Sequence, residues 1–370
     1  MDTLILLLLL WLIRGLTLLL IASVLLPLIP TGKWWIRLWD FPKVQFLGIG
    51  LITLILLGMS AQNQQWDNLL TVNAIAVLLC CLWLLRRILP FTFIWPKEVQ
   101  TAKTSEEPRI KTAIINLMYD NQSHEQAVEK LQHVDDDLLL LIEIDQPWHD
   151  QLNELKNQYK YHIQAIRSNG LGLALWSKHQ IIDHHIEHLV FKDRASIFAD
   201  IKLTNGQVIR YAGLHPTPPG LQDKKQDSRF DSWIRDAELI KIANRIQEDP
   251  TAHWLVAGDF NDVAWSHTTR LFKRISGLKD PRIGRRLLHS YHAQYWLMRY
   301  PLDHVFVSPS YKLHDLKREL TPGSDHFAIH VTLTLNDKVA NEPTVSKMDK
   351  VESKERVKQG MKSARQREKQ

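Results

Sequence analysis

The chain has 370 residues, 45% of them hydrophobic and 23% charged, which suits one or two folded units and excludes a wholly disordered chain. Its only cysteines, Cys80 and Cys81, are neighbours in an apolar run, which excludes a disulfide framework or a multi-cysteine zinc module. The net charge of +6 belongs to the two ends: residues 1–97 and 336–370 carry +4 each, and residues 98–335 carry −2. A duplex-binding domain usually displays a basic footprint on its own fold, and the middle of this chain has none in its total.

Three apolar stretches open the chain, at 4–29, 44–59 and 69–85. A helix needs roughly 20 apolar residues to span the hydrocarbon core, so the first is comfortably long and the others are near the lower limit. A cleaved signal peptide is the rival for the first stretch, but no basic segment precedes it and no convincing small-residue cleavage site follows. Buried soluble helices would show polar faces, which these runs lack. Three transmembrane helices are therefore expected in residues 1–97, with the lipid bilayer as partner. Arg14 reads as a snorkelling side chain on a long helix. Trp34, Trp35 and Trp39 stand beside Lys33 and Arg37, the pattern of an interfacial belt. The N-terminus and the 60–68 loop contain no Lys or Arg, whereas Lys33, Arg37, Lys43, Arg86, Arg87 and Lys97 flank the other span ends. With three spans these basic flanks share one side, which the positive-inside rule makes cytoplasmic, and the polar domain follows them.

Residues 98–109 form a charged linker, after which apolar runs alternate with amphipathic stretches. Runs at 110–117, 138–144, 171–176, 197–201, 208–214, 254–257, 302–307 and 327–333 predict strands. Stretches 124–132 and 229–247 predict helices, the second with Trp233, Ala237, Ile240, Ala243 and Ile246 at steps of three or four. Many strands with interspersed helices predict an α/β or α+β sandwich of two sheets covered by helices. The tail at 336–370 alternates in charge and has almost no large apolar residues. It is expected to be disordered or a loose helix, either solubilising or drawn to anionic headgroups.

The chemistry-bearing residues lie at strand ends. Asn116 closes the first run and Glu143 closes the apolar run 138–143. His215 opens the rigid turn His215-Pro-Thr-Pro-Pro-Gly220, and Asp259 and Asn261 lie in Gly258-Asp-Phe-Asn261. Asp303 begins Asp303-His-Val-Phe-Val, and Asp325 and His326 close Ser324-Asp-His326. Each alone reads as a turn or cap residue more readily than as a catalyst. Together they supply hard oxygen ligands for a Mg²⁺-like ion, two amides and proton-handling histidines, the inventory of metal-assisted phosphoryl chemistry.

This ordered series resembles the endonuclease/exonuclease/phosphatase (DNase I-like) superfamily over residues 110–335. The His-Pro-Thr-Pro-Pro turn, Ala264-Trp265-Ser266 after the Gly-Asp-Phe-Asn run, and the triple-span leader resemble its membrane-anchored bacterial branch, which includes glycopeptide-resistance membrane proteins thought to act on lipid-linked pyrophosphates. The resemblance implies a four-layer α/β sandwich, a bacterial-type inner (plasma) membrane location and a bound Mg²⁺ or Mn²⁺. It also implies roles. Glu143 would bind the metal, with Asn116 and Asp325 as ligands or close support. Asp259 would orient or deprotonate water, Asn261 would hold a phosphate oxygen, and His215 would contact phosphate or leaving group. His326 would face the phosphate, with Asp303 fixing its tautomer. One departure is Ile142, where family members often carry Gln before the metal-binding Glu.

The resulting expectation is a metal-dependent phosphohydrolase of a phosphorylated small-molecule or lipid-linked substrate. A tethered DNA or RNA nuclease and a non-catalytic membrane scaffold are the alternatives; tethering and a domain charge of −2 disfavour the first, and the intact residue set disfavours the second. Two acidic or histidine-rich runs are set aside. Asp183-His-His-Ile-Glu-His188 reads as a solvated or sheet-edge strand, and Asp135-Asp-Asp137 as a turn before a strand. Asn121 reads as a helix N-terminal turn residue.

Overall fold

The computed structural model describes residues 3–62, 67–223, 228–336 and 342–369. The apolar stretches form α1 (Thr3–Leu25), α3 (Lys43–Gln62) and α4 (Asn68–Ile88), with the single turn α2 (Trp34–Arg37) between the first two. All three long helices are long and apolar enough to cross a membrane. They pack on one another through Ile13, Leu20, Phe46, Leu57, Val77 and Leu84. Their outer faces leave Leu4, Leu8, Trp11, Leu18, Ile55, Val72 and Leu79 exposed, more contiguous apolar surface than a water-facing monomer carries. Arg14 lies over the Trp11 ring, 5.4 Å from its centroid.

In the polar domain the strands are β1 (Arg109–Asn116), β2 (Leu138–Ile142), β3 (Tyr161–Ala165), β4 (Leu173–Ser177), β5 (Gln180–Glu187), β6 (Ser196–Lys202) and β7 (Val208–Leu214). They continue with the short ribbon β8 (Gln222–Asp223) and β9 (Ser228–Arg229), then β10 (Trp254–Asp259), β11 (Asp303–Val307), β12 (Tyr311–Leu320) and β13 (Phe327–Leu335). The helices are α5 (His124–Gln132), α6 (Gln146–Gln151), α7 (Trp233–Glu248), α8 (His267–Ser276) and α9 (Lys347–Glu368). One sheet runs β12-β13-β1-β2-β4-β3 and the other β11-β10-β7-β6-β5.

Strand alternation sends Ile114, Leu140, Leu175, Ile197, Ala199, Leu255, Val305 and Val331 into the space between the sheets. The opposite face of the first sheet packs Ala113, Leu139, Leu141 and Trp176 under α5 and α6. The second sheet packs Phe198, Ala212, Val256 and Phe306 under α7 and α8, with Ala364 of α9 joining them. Helix, sheet, sheet and helix make the four expected layers. Helix ends are set by local chemistry: Ser266 accepts from Thr269 N at 3.0 Å to start α8, and Gly277 in the left-handed region stops it.

The sequence expectation for the tail needs correction. Residues 347–368 form an ordered helix laid on α7. Ser346 and Asp349 form a reciprocal capping box, Asp349 pairs with Arg274 at 2.7 Å, and buried Arg356 reaches Asp236 at 2.5 Å. At Gly360 a Cβ would collide with Ala237 and with the Trp233 carbonyl, so the glycine admits close helix contact. Docking uses ion pairs and a short stripe of Val357, Met361 and Ala364, too narrow to stand out in so charged a sequence. Strands β3 and β12 were also hidden from the hydrophobic pattern, because both are outermost in their sheet and half polar. The histidine-rich run lies in β5, likewise outermost and mostly exposed. In the acidic run, Asp136 pairs with His330, and Asp137 accepts from Lys111 N at 2.9 Å.

Candidate active site

Topology brings the expected residues to one end of both sheets. β1 and β2 are parallel, so Asn116 and Glu143 emerge side by side. β7 and β10 are parallel, so His215 and Asp259 emerge together on the facing sheet. β11 runs antiparallel to β10 and pairs its first residue, Asp303, with Asp259. β13 runs antiparallel to β1, so Asp325 and His326 enter at the same end. A Cβ at Gly258 would strike the Leu214 carbonyl, so this glycine lets β10 approach β7 just before Asp259. Glu143 and Asn261 hold positive φ of 65° and 50°. Asparagine tolerates that conformation, but for glutamate it costs about 1–2 kcal/mol, which the surrounding packing must offset.

Asn116 joins the two sheets: its Nδ2 donates to Glu143 Oε1 at 3.0 Å and to Asp259 Oδ2 at 3.4 Å. Glu143 Oε2 accepts from Tyr119 N at 3.3 Å. His326 Nδ1 lies 2.7 Å from Asp303 Oδ2, and its Nε2 lies 3.7 Å from Asp259 Oδ2. Asp325 is half-buried and close enough to raise the pKa of both Glu143 and His326 by its charge. Asn261 donates its backbone N–H to Asp259 Oδ1 at 2.8 Å and its amide to the Pro216 carbonyl at 3.0 Å. One of its two amide hydrogens therefore fastens the turn that follows His215.

Burial raises the Glu143 pKa, against the Asn116 hydrogen bond and the His326 charge, which lower it. Burial and the Asp303 charge raise that of Asp259. For His326 burial works toward the neutral ring, but Asp303 and Asp259 outweigh it and hold the pKa at about 10. Burial and the Arg194 charge drive His215 well below the ordinary histidine value, so it is a neutral ring accepting from Arg194 Nη1 at 3.2 Å.

Arg194 is a site residue that sequence reasoning missed. It is buried and sits in a polar loop before β6 with no motif around it, so only the fold could reveal it. Buried Glu238, raised to about 8 by desolvation, accepts from Thr217 N at 3.3 Å and lies close enough to Arg194 for each to shift the other's titration. Arg235 was missed too; it donates to the Asn261 carbonyl at 2.8 Å and pairs with Asp236. Tyr291 packs its ring 5.0 Å from that of His326. Ile142 is fully buried between the sheets, so at this position the chain has a core residue and no polar contact to the site. Asn121 accepts from Ser123 N at 2.7 Å just before α5, the expected helix-entry turn.

Among the described residues, neither Lys nor Arg forms an ion pair with Glu143, Asp259, Asp303 or Asp325; His326 is the cation that Asp259 and Asp303 contact. Asp259, Asp303 and His326 offer ligand atoms within 4.8 Å of one another, and Asp303 Oδ1 is buried without a partner. Excess carboxylate in a desolvated pocket, with an orphaned oxygen and hard donors, fits a divalent cation.

Two sheets back to back under helices, with a carboxylate–histidine centre where their strand ends meet, define a DNase I-like α/β sandwich. The chain belongs to the Endonuclease/Exonuclease/phosphatase family, whose model matches residues 115–326. Members of this family are generally phosphoester hydrolases that depend on a divalent metal. Similar solved structures include an endonuclease/exonuclease/phosphatase from Bacteroides vulgatus, 16% identical with a TM-score of 0.50 over 62% of this chain and 100% of that one. A second, from Beutenbergia cavernae, is 14% identical with a TM-score of 0.50 over 62% of this chain and 72% of that one. The human Nocturnin catalytic domain with bound sulfate is 15% identical with a TM-score of 0.49 over 62% of this chain and 96% of that one. No curated protein matches the chain.

Proposed function

We propose that the chain is a membrane-anchored, divalent-metal-dependent phosphohydrolase that cleaves a phosphoester or phosphoanhydride of a lipid-linked substrate at the bilayer surface. The observation that carries this reading is the loop between Tyr291 and Tyr300. Its base pairs with the active site: Tyr291 bridges His326, and Ala293 N donates to the Asp325 carbonyl at 2.7 Å. Its tip presents Tyr295, Trp296, Leu297 and Met298, with Trp296 73% exposed. Gln45, in the first turn of α3, donates to the Leu297 carbonyl at 2.7 Å. Four exposed apolar residues tied to the first turn of a membrane-length helix suit the interfacial zone of a bilayer. A substrate whose phosphate stands just above its lipid anchor would then meet His326 without leaving the membrane.

In this reading Glu143 and Asp325, supported by Asn116, would hold the metal, which would neutralise phosphate oxygens; His326, protonated between Asp303 and Asp259, would not be one of its ligands. Asp259, raised in pKa, accepts the proton of the attacking water, and Asn116 orients that carboxylate. His326 stays protonated across neutral pH and faces the developing phosphoryl charge, while Asp303 fixes its Nδ1–H. Arg194 adds a fixed positive charge behind His215. The C-terminal end of α1, the start of α3 and the end of α4 lie on the domain side together with Lys33, Arg37, Lys43, Arg86 and Arg87. By the positive-inside rule that side is cytoplasmic, and reporters fused after Arg109 test it.

The deciding assay is phosphate release by detergent-solubilised protein with Mg²⁺ or Mn²⁺. Undecaprenyl pyrophosphate, a soluble phosphodiester and single- and double-stranded DNA are compared, with Glu143→Gln as control. Turnover of the lipid, reduced at least about 10³-fold in the control, is expected. Cleavage of DNA alone overturns the lipid assignment and makes the chain a tethered nuclease. Trp296→Ser with Leu297→Ser is expected to lower turnover of vesicle-borne lipid about 10-fold and leave a soluble ester unaffected, because one interfacial aromatic and one leucine are worth about 1–3 kcal/mol of membrane contact.

A further inference from the structure

A cavity of about 390 Å³ lies where the apolar helices meet the polar domain, with neither Glu143 nor His326 in its lining. Pro27 to Pro30 at the end of α1, Lys43 at the start of α3, and Trp83 and Arg87 in the last turns of α4 wall one side. Trp233, His267, Arg270, Glu352 and Arg356 of the domain wall the other. The junction is continuous structure: Trp265 Nε1 donates to the Asp40 carbonyl at 2.7 Å, and Ser232 N to the Gly32 carbonyl at 2.8 Å.

The charges around this cavity do not balance. Arg37 is engaged by the carbonyls of Pro27, Ile29 and Thr31, and Lys43 pairs with Asp40 at 3.0 Å. Arg356 and His267 share Glu352 at 2.7 and 2.6 Å, Arg356 also reaches Asp236, and Glu355, the remaining carboxylate of the lining, is exposed and lies 4.0 Å from Lys358. Arg87 and Arg270 are left over. Arg87 rests on the Trp83 ring, 4.9 Å from its centroid, and forms no ion pair among the described residues. Arg270 donates only Nε, to the Ser266 carbonyl at 3.0 Å, leaving the two-nitrogen end of its fork unused. Burial and the charges of Arg87 and Arg274 pull Arg270 down to about 10 against the opposing charges of Asp40 and Glu352, so the two guanidinium groups feel each other in a partly desolvated space. Two guanidinium groups that line one cavity, neither with a carboxylate partner of its own among the described residues, match the planar oxygens of a phosphate, which arginine binds through paired hydrogen bonds.

We infer that this cavity is a second anion site, taking a phosphate group between Arg87 and Arg270, separate from the hydrolytic centre. The phosphate can arrive on an anionic lipid headgroup or free in solution. The headgroup source rests on the membrane reading above, since only then do the ends of α1 and α4 stand at headgroup height; the free-phosphate source does not. The docked tail acquires a role as well, because Glu352 and Arg356 of α9 close the cavity.

The test is thermal unfolding of the full chain in neutral detergent, with three additions: inorganic phosphate, phosphatidylglycerol and phosphatidylcholine. Wild type is expected to gain about 2–4 °C from phosphatidylglycerol and nothing from phosphatidylcholine. Arg87→Gln with Arg270→Gln should abolish the gain, while Glu143→Gln keeps it. An equal gain from inorganic phosphate assigns the site to the free anion. Loss of the gain in Glu143→Gln with retention in the double variant puts the phosphate in the hydrolytic centre and overturns the inference without touching the hydrolase reading. Absence of any gain in wild type overturns it as well. The double variant must elute as wild type and, with the mutual repulsion removed, unfold no earlier when no anion is present. Should it misfold, Arg270→Lys, which keeps the charge but not the fork, is read in its place, and an undiminished gain there counts against the fork geometry.

Discussion

His326 lies just before β13 and His330 within it, and each is held by a carboxylate. His326 Nδ1 lies 2.7 Å from Asp303, His330 Nδ1 lies 2.8 Å from Asp136, and both residues are 5% exposed. Their other nitrogens face different surroundings. His326 Nε2 looks toward Asp259 at 3.7 Å, in a pocket shared with Glu143 and Asp325. His330 Nε2 is buried without a partner, in a strand flanked by β1 and β12. In the proposed mechanism the same pair of side chains therefore handles a proton at one place, while at the other it fastens β13 to the turn before β2. What separates them is access of the second nitrogen to further charge.

Replacing each ring in turn tests that difference most strongly. His326→Gln is expected to lower kcat by about 10²–10⁴-fold, the range for a positioned acid or base. His330→Gln should stay within about 3-fold. Equal losses in the two variants would break the distinction.

Asp303→Asn comes next. It removes the charge that keeps His326 protonated and leaves its orientation less fixed, so kcat should fall about 10²-fold and the alkaline limb of the pH profile should move toward neutral. The stability consequence has a definite sign. The folded pKa of His326 is raised from 6.5 to about 10, so its contribution is complete below about pH 6.5 and disappears as pH rises toward 10. In metal-free protein, unfolding temperature should therefore fall across that window in wild type more than in His326→Gln. Parallel curves for the two proteins would show that the carboxylates do not hold His326 charged.

The contrast also marks how far the amino-acid pattern reaches. Glu143, Asp259, Asp303 and His326 were legible because each follows or precedes a strongly apolar run, and strand ends are where such folds keep their polar residues. The eight apolar runs corresponded to real strands for the same reason. Arg194 was not legible: it contacts His215 across 21 positions from a loop with no periodicity. The Asp136–His330 pair spans 194 positions, and each partner alone reads as a turn residue or a strand interruption. The docking of α9 rests on Arg356 meeting Asp236, 120 positions away, inside a sequence that looks solvated throughout. Apolar burial repeats along the chain and leaves a pattern. A single long-range ion pair does not.

The smallest expected effect concerns the fastening itself. Asp136→Asn or His330→Gln should each cost about 1–3 kcal/mol, because each leaves one buried polar partner under-satisfied. Calorimetry would register this as a fall of a few degrees in Tm with kcat close to wild type. The two changes remove one and the same bond, so the double variant should cost little more than either single one, a non-additivity that a double-mutant cycle measures. If instead Asp136→Asn lowered kcat as far as Asp303→Asn, the two ends of β13 would be coupled. The surroundings of the second nitrogen would then no longer separate the two histidines.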